Sequence, residues 1–282
     1  MKNIILLVLS FLFLKMAVHA QTSPAYKVYA VKFATSGYPF SLGDWAKGGS
    51  KTEKISIDFM VWLIKGNGKN ILVDAGFLPD DEDAKEFEIK KYIRPDSALL
   101  KLGVKATDIT DIILSHPHWD HINGISLFPN AHLWIQKEDY DYFVGKAWEK
   151  GINTEGFSKP DVRLLVELNL SGRVTLVEGD NKPILPGITV YTGSKHTMGS
   201  QYALIQTGIN KVLLASDNIW IYYNLEHLAP AANGGTLDPT AYIKSMQRMK
   251  TLVTDPKFII PGHDSAIFNR FPIVSEGIAE IR

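Results

Sequence analysis

The segment His116-Pro117-His118-Trp119-Asp120-His121 constrains this chain more than any other stretch of it. It follows Ile112 to Ser115 (IILS), a short apolar run that reads as a buried strand. In an extended stretch side chains alternate with period two, so His116 and His118 point to the same side and can share one metal ion. Asp120 and His121 follow where the chain turns into a helix, which aims them at a second point a short distance away. Neutral imidazole and carboxylate suit zinc, manganese or iron. A solvated polar loop would collect three histidines and an aspartate in six residues, directly after a buried strand, only by accident.

The chain has no cysteine. That removes disulfides and thiolate ligands, so any metal is held through imidazole and carboxylate. Lysine plus arginine (30) balances aspartate plus glutamate (30), which leaves no overall basic field to draw in nucleic acid. At the N-terminus Lys2 precedes an apolar run from Ile4 to Leu14, and Val18-His19-Ala20 places small side chains where a signal peptidase reads. Spanning a bilayer core of ~30 Å takes about 20 helical residues, more than this run offers. The expectation is a signal peptide over 1–20, cleavage near Ala20, and a periplasmic or secreted domain over 21–282 without a stable membrane anchor.

Tyr26 to Thr35 and Ile55 to Ile64 read as strands, with a glycine-rich loop from Ser36 to Thr52 between them. Asn70 to Asp74 and Leu133 to Ile135 are further short strands. Asp83 to Tyr92, Ser97 to Leu102, Glu138 to Val144, Val162 to Leu168 and Pro239 to Val253 read as helices. Gly145 to Pro160 reads as an exposed excursion. A second batch of strands covers Thr175 to Val177, Ile188 to Thr192, Tyr202 to Gln206, Val212 to Ala215 and Phe258 to Ile260. Strands and helices mix in both halves, which points to one layered α/β domain.

The hexapeptide matches the His-x-His-x-Asp-His signature of the metallo-β-lactamase superfamily, and the resemblance continues beyond it. His196 follows a strand in Thr192-Gly193-Ser194-Lys195-His196, Asp217 follows one in Ala215-Ser216-Asp217, and His263 follows the last in Pro261-Gly262-His263. Asp74-Ala75-Gly76 resembles the family's early turn, whose aspartate supports the metal loops. The resemblance implies an αβ/βα four-layer sandwich with the metals at one edge between two sheets. It also implies two divalent ions per chain, zinc foremost: one at His116, His118 and His196, one at Asp120, His121 and His263, with Asp217 bridging. Asp120 then shuttles the proton to the leaving group. His132 and His227 fit no ligand slot and are assigned to structure or surface.

Within the superfamily the chain looks most like the N-acyl homoserine lactonases, on Phe59 to Ile64 leading to Leu72 to Phe77, on Leu127 to Ala131 leading to Gln136-Lys137-Glu138, and on Thr197 to Gln201 and Ser216-Asp217-Asn218. The implied substrate is a small lactone bearing an acyl chain, with Phe143, Trp148 and Phe157 as candidates for an apolar channel or for packing. A homodimer is in keeping with that resemblance alone. One departure stands out: lactonases of this branch place a tyrosine three residues after the bridging aspartate, and here Trp220 occupies that position. Trp220 and Tyr223 are the candidate substrate contacts, with Tyr222, Tyr223 or the metals alone left to supply the missing hydroxyl. The alternatives are hydrolysis of another ester, a thioester or a β-lactam, or a metal-depleted binding member of the superfamily.

Overall fold

The computed structural model describes residues 25–282, apart from residue 209. The expected signal peptide and its cleavage point lie outside the described residues. Among the described residues no helix is long and apolar enough to cross a membrane.

Two sheets carry the fold. The larger has eight strands in the order Ile273–Ser275, Ile278–Ile281, Lys27–Thr35, Asp58–Gly66, Lys69–Val73, Asp111–Ile113, His132–Gln136 and Val174–Val177. Its last three pairings are parallel. Parallel neighbours need a crossover between them, and the chain between these strands is where most of the helices fall. The second sheet has five strands in the order Ile259–Pro261, Lys211–Ser216, Gln201–Gln206, Ile188–Thr192 and Lys182–Leu185.

The run Phe59 to Ile64 is uninterruptedly apolar because its strand is covered on both faces. Met60, Trp62 and Ile64 face the second sheet and pack with Val190, Ala203, Ile205, Val212 and Leu214. Phe59, Val61 and Leu63 face the other way, into a core closed by Leu99, Ile122, Phe143 and Leu165. On the far side of the second sheet, Leu204, Leu213 and Ile259 pack under Tyr242, Met246 and Met249 of the helix Pro239–Leu252. Three core layers between two sheets and two sets of helices make the αβ/βα sandwich that the resemblance implies.

Several local expectations are corrected. The stretch 36–52 is not all loop: Phe40–Ser41 is a short strand, and Leu42–Trp45 a helical turn closed by a Ser41/Asp44 capping box. The expected helix 83–92 stops at Glu86, since Glu88 and Lys91 take positive φ and Lys90 pairs with Thr35 in both directions. The helix expected at 162–168 runs from Lys159 to Leu170. The sequence reading also missed the edge strand Lys182–Leu185, the helix Tyr222–His227 and the terminal hairpin Ile273–Ser275 and Ile278–Ile281.

Candidate metal centre

Five strand ends converge at one edge of the sandwich. Asp74 follows Lys69–Val73, His116 lies three residues beyond Asp111–Ile113, and His196 four beyond Ile188–Thr192. Asp217 directly follows Lys211–Ser216, and His263 lies two residues beyond Ile259–Pro261. The helix Trp119–Ile122 starts from His118 and turns Asp120 and His121 toward the same place. Its Trp119 ring is packed on Phe59, Phe77 and Phe87, which fixes the turn from beneath.

The seven residues expected as ligands form one cluster, in which three groups are arranged to hold a metal: His116, His118 and His196; His116, His121 and Asp217; and Asp120, His121 and His263. In the first group His118 Nδ1 lies 3.1 Å from His116 Nε2 and 3.0 Å from His196 Nε2, and those two Nε2 atoms are 3.1 Å apart. Neighbouring nitrogens on a tetrahedral zinc at about 2.0 Å would stand about 3.3 Å apart, close to this spacing. In the second group His121 Nε2 and His263 Nε2 lie 3.2 and 3.5 Å from Asp120 Oδ2. Asp217 stands between them, with Oδ1 2.9 Å from His263 Nε2 and 3.5 Å from His121 Nε2, and Oδ2 3.4 Å from His196 Nε2.

Hydrogen bonds on the far side of four of the rings assign their tautomers. His196 Nδ1 donates to the carbonyl of Gly235 (2.8 Å), and His263 Nδ1 to that of Asp58 (3.2 Å). His121 Nδ1 donates to Asp74 Oδ2 (2.8 Å). The Ser115 hydroxyl gives its proton to Asp74 Oδ2, so its oxygen accepts from His116 Nδ1 at 2.9 Å. Four inward Nε2 atoms are thereby left facing the cluster, and burial keeps those of His116 and His196 unprotonated. The lone pairs of His116 and His196 face each other at 3.1 Å, an arrangement that is repulsive without a cation between them. His121 Nε2 and Asp217 Oδ1 are buried without any hydrogen-bond partner. A donor set of imidazoles and carboxylates with converging lone pairs fits divalent metal ions.

Burial holds the His116 imidazole well below its usual range and pushes His118 down to about 3. Burial also opposes the charged forms of His121 and Asp217. For His121 the carboxylates of Asp120, Asp74 and Asp217 outweigh it and raise the ring well above its usual range. For Asp217 the facing His263 and His121 outweigh it and hold the carboxyl well below the usual range.

Among the supporting residues, Asp74 was legible through the resemblance, while Asp139 and the role of Asn218 were not. Asp74, fully buried at φ +61°, accepts from Ser115 N, the hydroxyls of Ser115 and Ser216, and His121. Asn218 Oδ1 accepts from Ser194 N (2.7 Å) and the Ser200 hydroxyl (3.0 Å), pinning the His196 loop at both ends. The buried carboxylate of Asp139 holds its middle through the Thr197 hydroxyl and Gly199 N, both at 2.6 Å. Trp220 Nε1 donates to Asp217 Oδ2 at 2.9 Å. Tyr223 lies with its ring 4.0 Å from that of His227 and its hydroxyl 3.5 Å from the Gly48 carbonyl oxygen. His132 meets the Thr175 hydroxyl at 2.7 Å. Of the three aromatics named for a channel, Phe143 is core, Trp148 donates to the Phe143 carbonyl, and Phe157 lies 5.2 Å from the His118 ring.

Asp139 carries a pH prediction. Burial pushes its carboxyl up from 3.8 to about 7, so the unfolded chain ionises first as pH rises. Its contribution to stability is therefore complete below about pH 4 and is lost as pH climbs through 7, by a few kcal/mol in order of magnitude. Asp161, pushed up to about 6 by burial, adds to the same slope. Asp139→Asn is expected to flatten most of the fall in Tm between pH 5 and pH 8. An unchanged slope in the variant would assign the dependence elsewhere.

Residues 60–263 match the family described as the metallo-beta-lactamase superfamily. The N-acyl homoserine lactonase AiiA of Bacillus thuringiensis subsp. kurstaki is 30% identical over 168 residues, 59% of this chain. The N-acyl homoserine lactonase AttM of Rhizobium johnstonii is 26% identical over 174 residues, 60% of this chain. The matched stretch spans 60% and 64% of the lengths of these two relatives. Among solved structures, N-acyl homoserine lactone hydrolase with the product N-hexanoyl-L-homoserine at its catalytic metal center aligns with TM-score 0.69 at 21% identity, over 88% of this chain and 97% of that one. AidC, a dizinc quorum-quenching lactonase, aligns with TM-score 0.64 at 20% identity, over 92% and 98%. At these identities the structural likeness speaks for the fold.

Proposed function

Because this chain belongs to the metallo-beta-lactamase superfamily, we propose that it is a two-metal hydrolase that opens the lactone ring of N-acyl homoserine lactones. The observation that carries the hydrolase reading is the set of bare imidazole lone pairs converging with Asp120 and Asp217 on one buried spot. His116, His118 and His196 would hold one ion, Asp120, His121 and His263 the other, and Asp217 would reach both. Divalent ions held there supply a water of lowered pKa and polarise a carbonyl oxygen.

The chain's own residues do the rest. The Gly235, Asp58, Ser115 and Asp74 contacts keep each imidazole presenting its lone pair, which holds the donor set pre-organised. Water adds to the lactone carbonyl, the ring C–O bond breaks, and the ring oxygen leaves as an alkoxide. Asp120, half-buried at the rim of the cluster, would receive the proton of the attacking water and return it to that alkoxide, giving the open hydroxy acid. Phe157, beside His118, offers an apolar contact to an acyl chain.

The lactone assignment is supported by the names of the relatives and by the stretches shared with them. Its test is product mass. Metal-loaded protein incubated with N-hexanoyl homoserine lactone should convert it to a product heavier by one water. Unchanged lactone, with nitrocefin or a thioester turned over instead, would move the protein to another substrate class. No turnover of any of them by protein holding two ions would sink the hydrolase reading.

A further inference from the structure

The two oxygens of Asp217 face different groups: Oδ1 faces His263 and His121, Oδ2 faces His196 at 3.4 Å and His116 at 4.0 Å. A carboxylate can rotate about its Cβ–Cγ bond, and only one orientation serves both groups. The indole N–H of Trp220, 2.9 Å from Oδ2, selects that orientation. It engages one lone pair of Oδ2 and leaves the other for a cation.

Trp220 is itself immobilised. Its main-chain N–H donates to the buried Tyr242 hydroxyl (3.1 Å), and its carbonyl accepts from His263 N (2.9 Å). The ring lies 4.9 Å from that of Trp45. On its other edge sits Gly235, where an added Cβ would fall 2.1 Å from the indole Cη2. Gly235 is also the residue whose carbonyl orients His196, so one loop shapes both the indole and a ligand.

We propose that Trp220 is a positioning residue that sets the rotation of the Asp217 carboxylate and thereby the cation affinity of the His116–His118–His196 group, rather than a donor to the substrate. The inference rests on the two-metal reading and is independent of which substrate is hydrolysed. It also sets the indole apart from the substrate contact expected of position 220: the single N–H is spent on Asp217, which leaves no donor there for a lactone carbonyl.

The experiment challenges zinc-loaded protein with increasing chelator and counts ions retained. Trp220→Phe keeps most of the bulk and loses the N–H. Trp220→His, in the Nε2–H tautomer that the facing Asp217 carboxylate favours, keeps an N–H at the same place, because the imidazole Nε2 and the indole Nε1 are equivalent positions of a five-membered ring. Trp220→Phe should release one of its two ions at chelator concentrations about 10–100-fold lower than wild type, the range for losing a hydrogen bond that orients a ligand. Trp220→His should stay within about threefold of wild type, as expected if the hydrogen bond rather than the bulk matters. Equal losses in both variants, no loss in Trp220→Phe, or a Trp220→Phe chain that does not fold would assign the tryptophan to packing and overturn the proposal. A wild-type chain retaining fewer than two ions would instead overturn the two-metal reading, and would do so before any variant is compared.

Discussion

Replacing Asp217 with alanine is expected to lower turnover by about 10³-fold, which is the several kcal/mol that metal activation of water and carbonyl contributes. The reason is its position. Oδ1 lies 2.9 Å from His263 Nε2 and Oδ2 3.4 Å from His196 Nε2, so one truncation removes a donor from both groups at once. It would also remove the anion that offsets the charge of the two ions proposed for this buried site. Elemental analysis of the purified variant should find fewer than two ions per chain. Asp217→Ala protein with two ions and near wild-type kcat would refute the bridging role and force a different division of the seven ligands.

Asp74→Ala is expected to have the largest effect on stability, about 3–5 kcal/mol, the range for stranding partners of a buried charge. The carboxylate is wholly buried and receives four donors: Ser115 N, the Ser115 and Ser216 hydroxyls, and His121 Nδ1. The two hydroxyls lie 2.9 Å apart and can pair with each other, but the amide has nothing else to reach, and the imidazole has only the Ser216 hydroxyl at 3.4 Å. Alanine must also hold the positive φ of this turn, which it adopts less readily than aspartate, and that difference adds to the loss. A domain with a typical 5–15 kcal/mol of stability survives this only narrowly. The check is the urea midpoint at unchanged m-value. A shift worth less than about 1 kcal/mol, the net value of one ordinary hydrogen bond, would mean that Asp74 is dispensable to the fold.

How legible each element was followed from whether its signal is local. Most inner strands of the two sheets announce themselves because residues buried on both faces leave apolar runs, as in Phe59 to Ile64, whereas the terminal hairpin Ile273–Ser275 and Ile278–Ile281 does not. The edge strand Lys182–Leu185 does not: its lysine is exposed, Pro183 sits within it, and only pairing with Ile188–Thr192 makes it a strand. The helix expected to continue to Tyr92 ends at Glu86 because Lys90 pairs with Thr35, fifty-five residues earlier, and no local propensity encodes that. One signal was local and was missed: Ser41 followed three residues later by Asp44 is a capping-box spacing that marks the turn Leu42–Trp45.

By itself the sequence specified the donor types of the candidate centre: imidazole and carboxylate without thiolate, four of the expected donors in one hexapeptide, and three more within four residues of the ends of apolar strands. It could do so because metal binding needs particular atoms, and those atoms are written as residue types. Tertiary structure alone decided how those atoms are held. Asp74 meets Ser216 across 142 residues, Asp139 meets Thr197 across 58, and Gly235 meets His196 across 39. Hydrogen bonds form wherever folding brings donor and acceptor within about 3 Å, whatever their separation along the chain. Trp220 shows the difference most plainly. The sequence marked it as a departure at a substrate-facing position, and only the fold turned its single N–H onto Asp217.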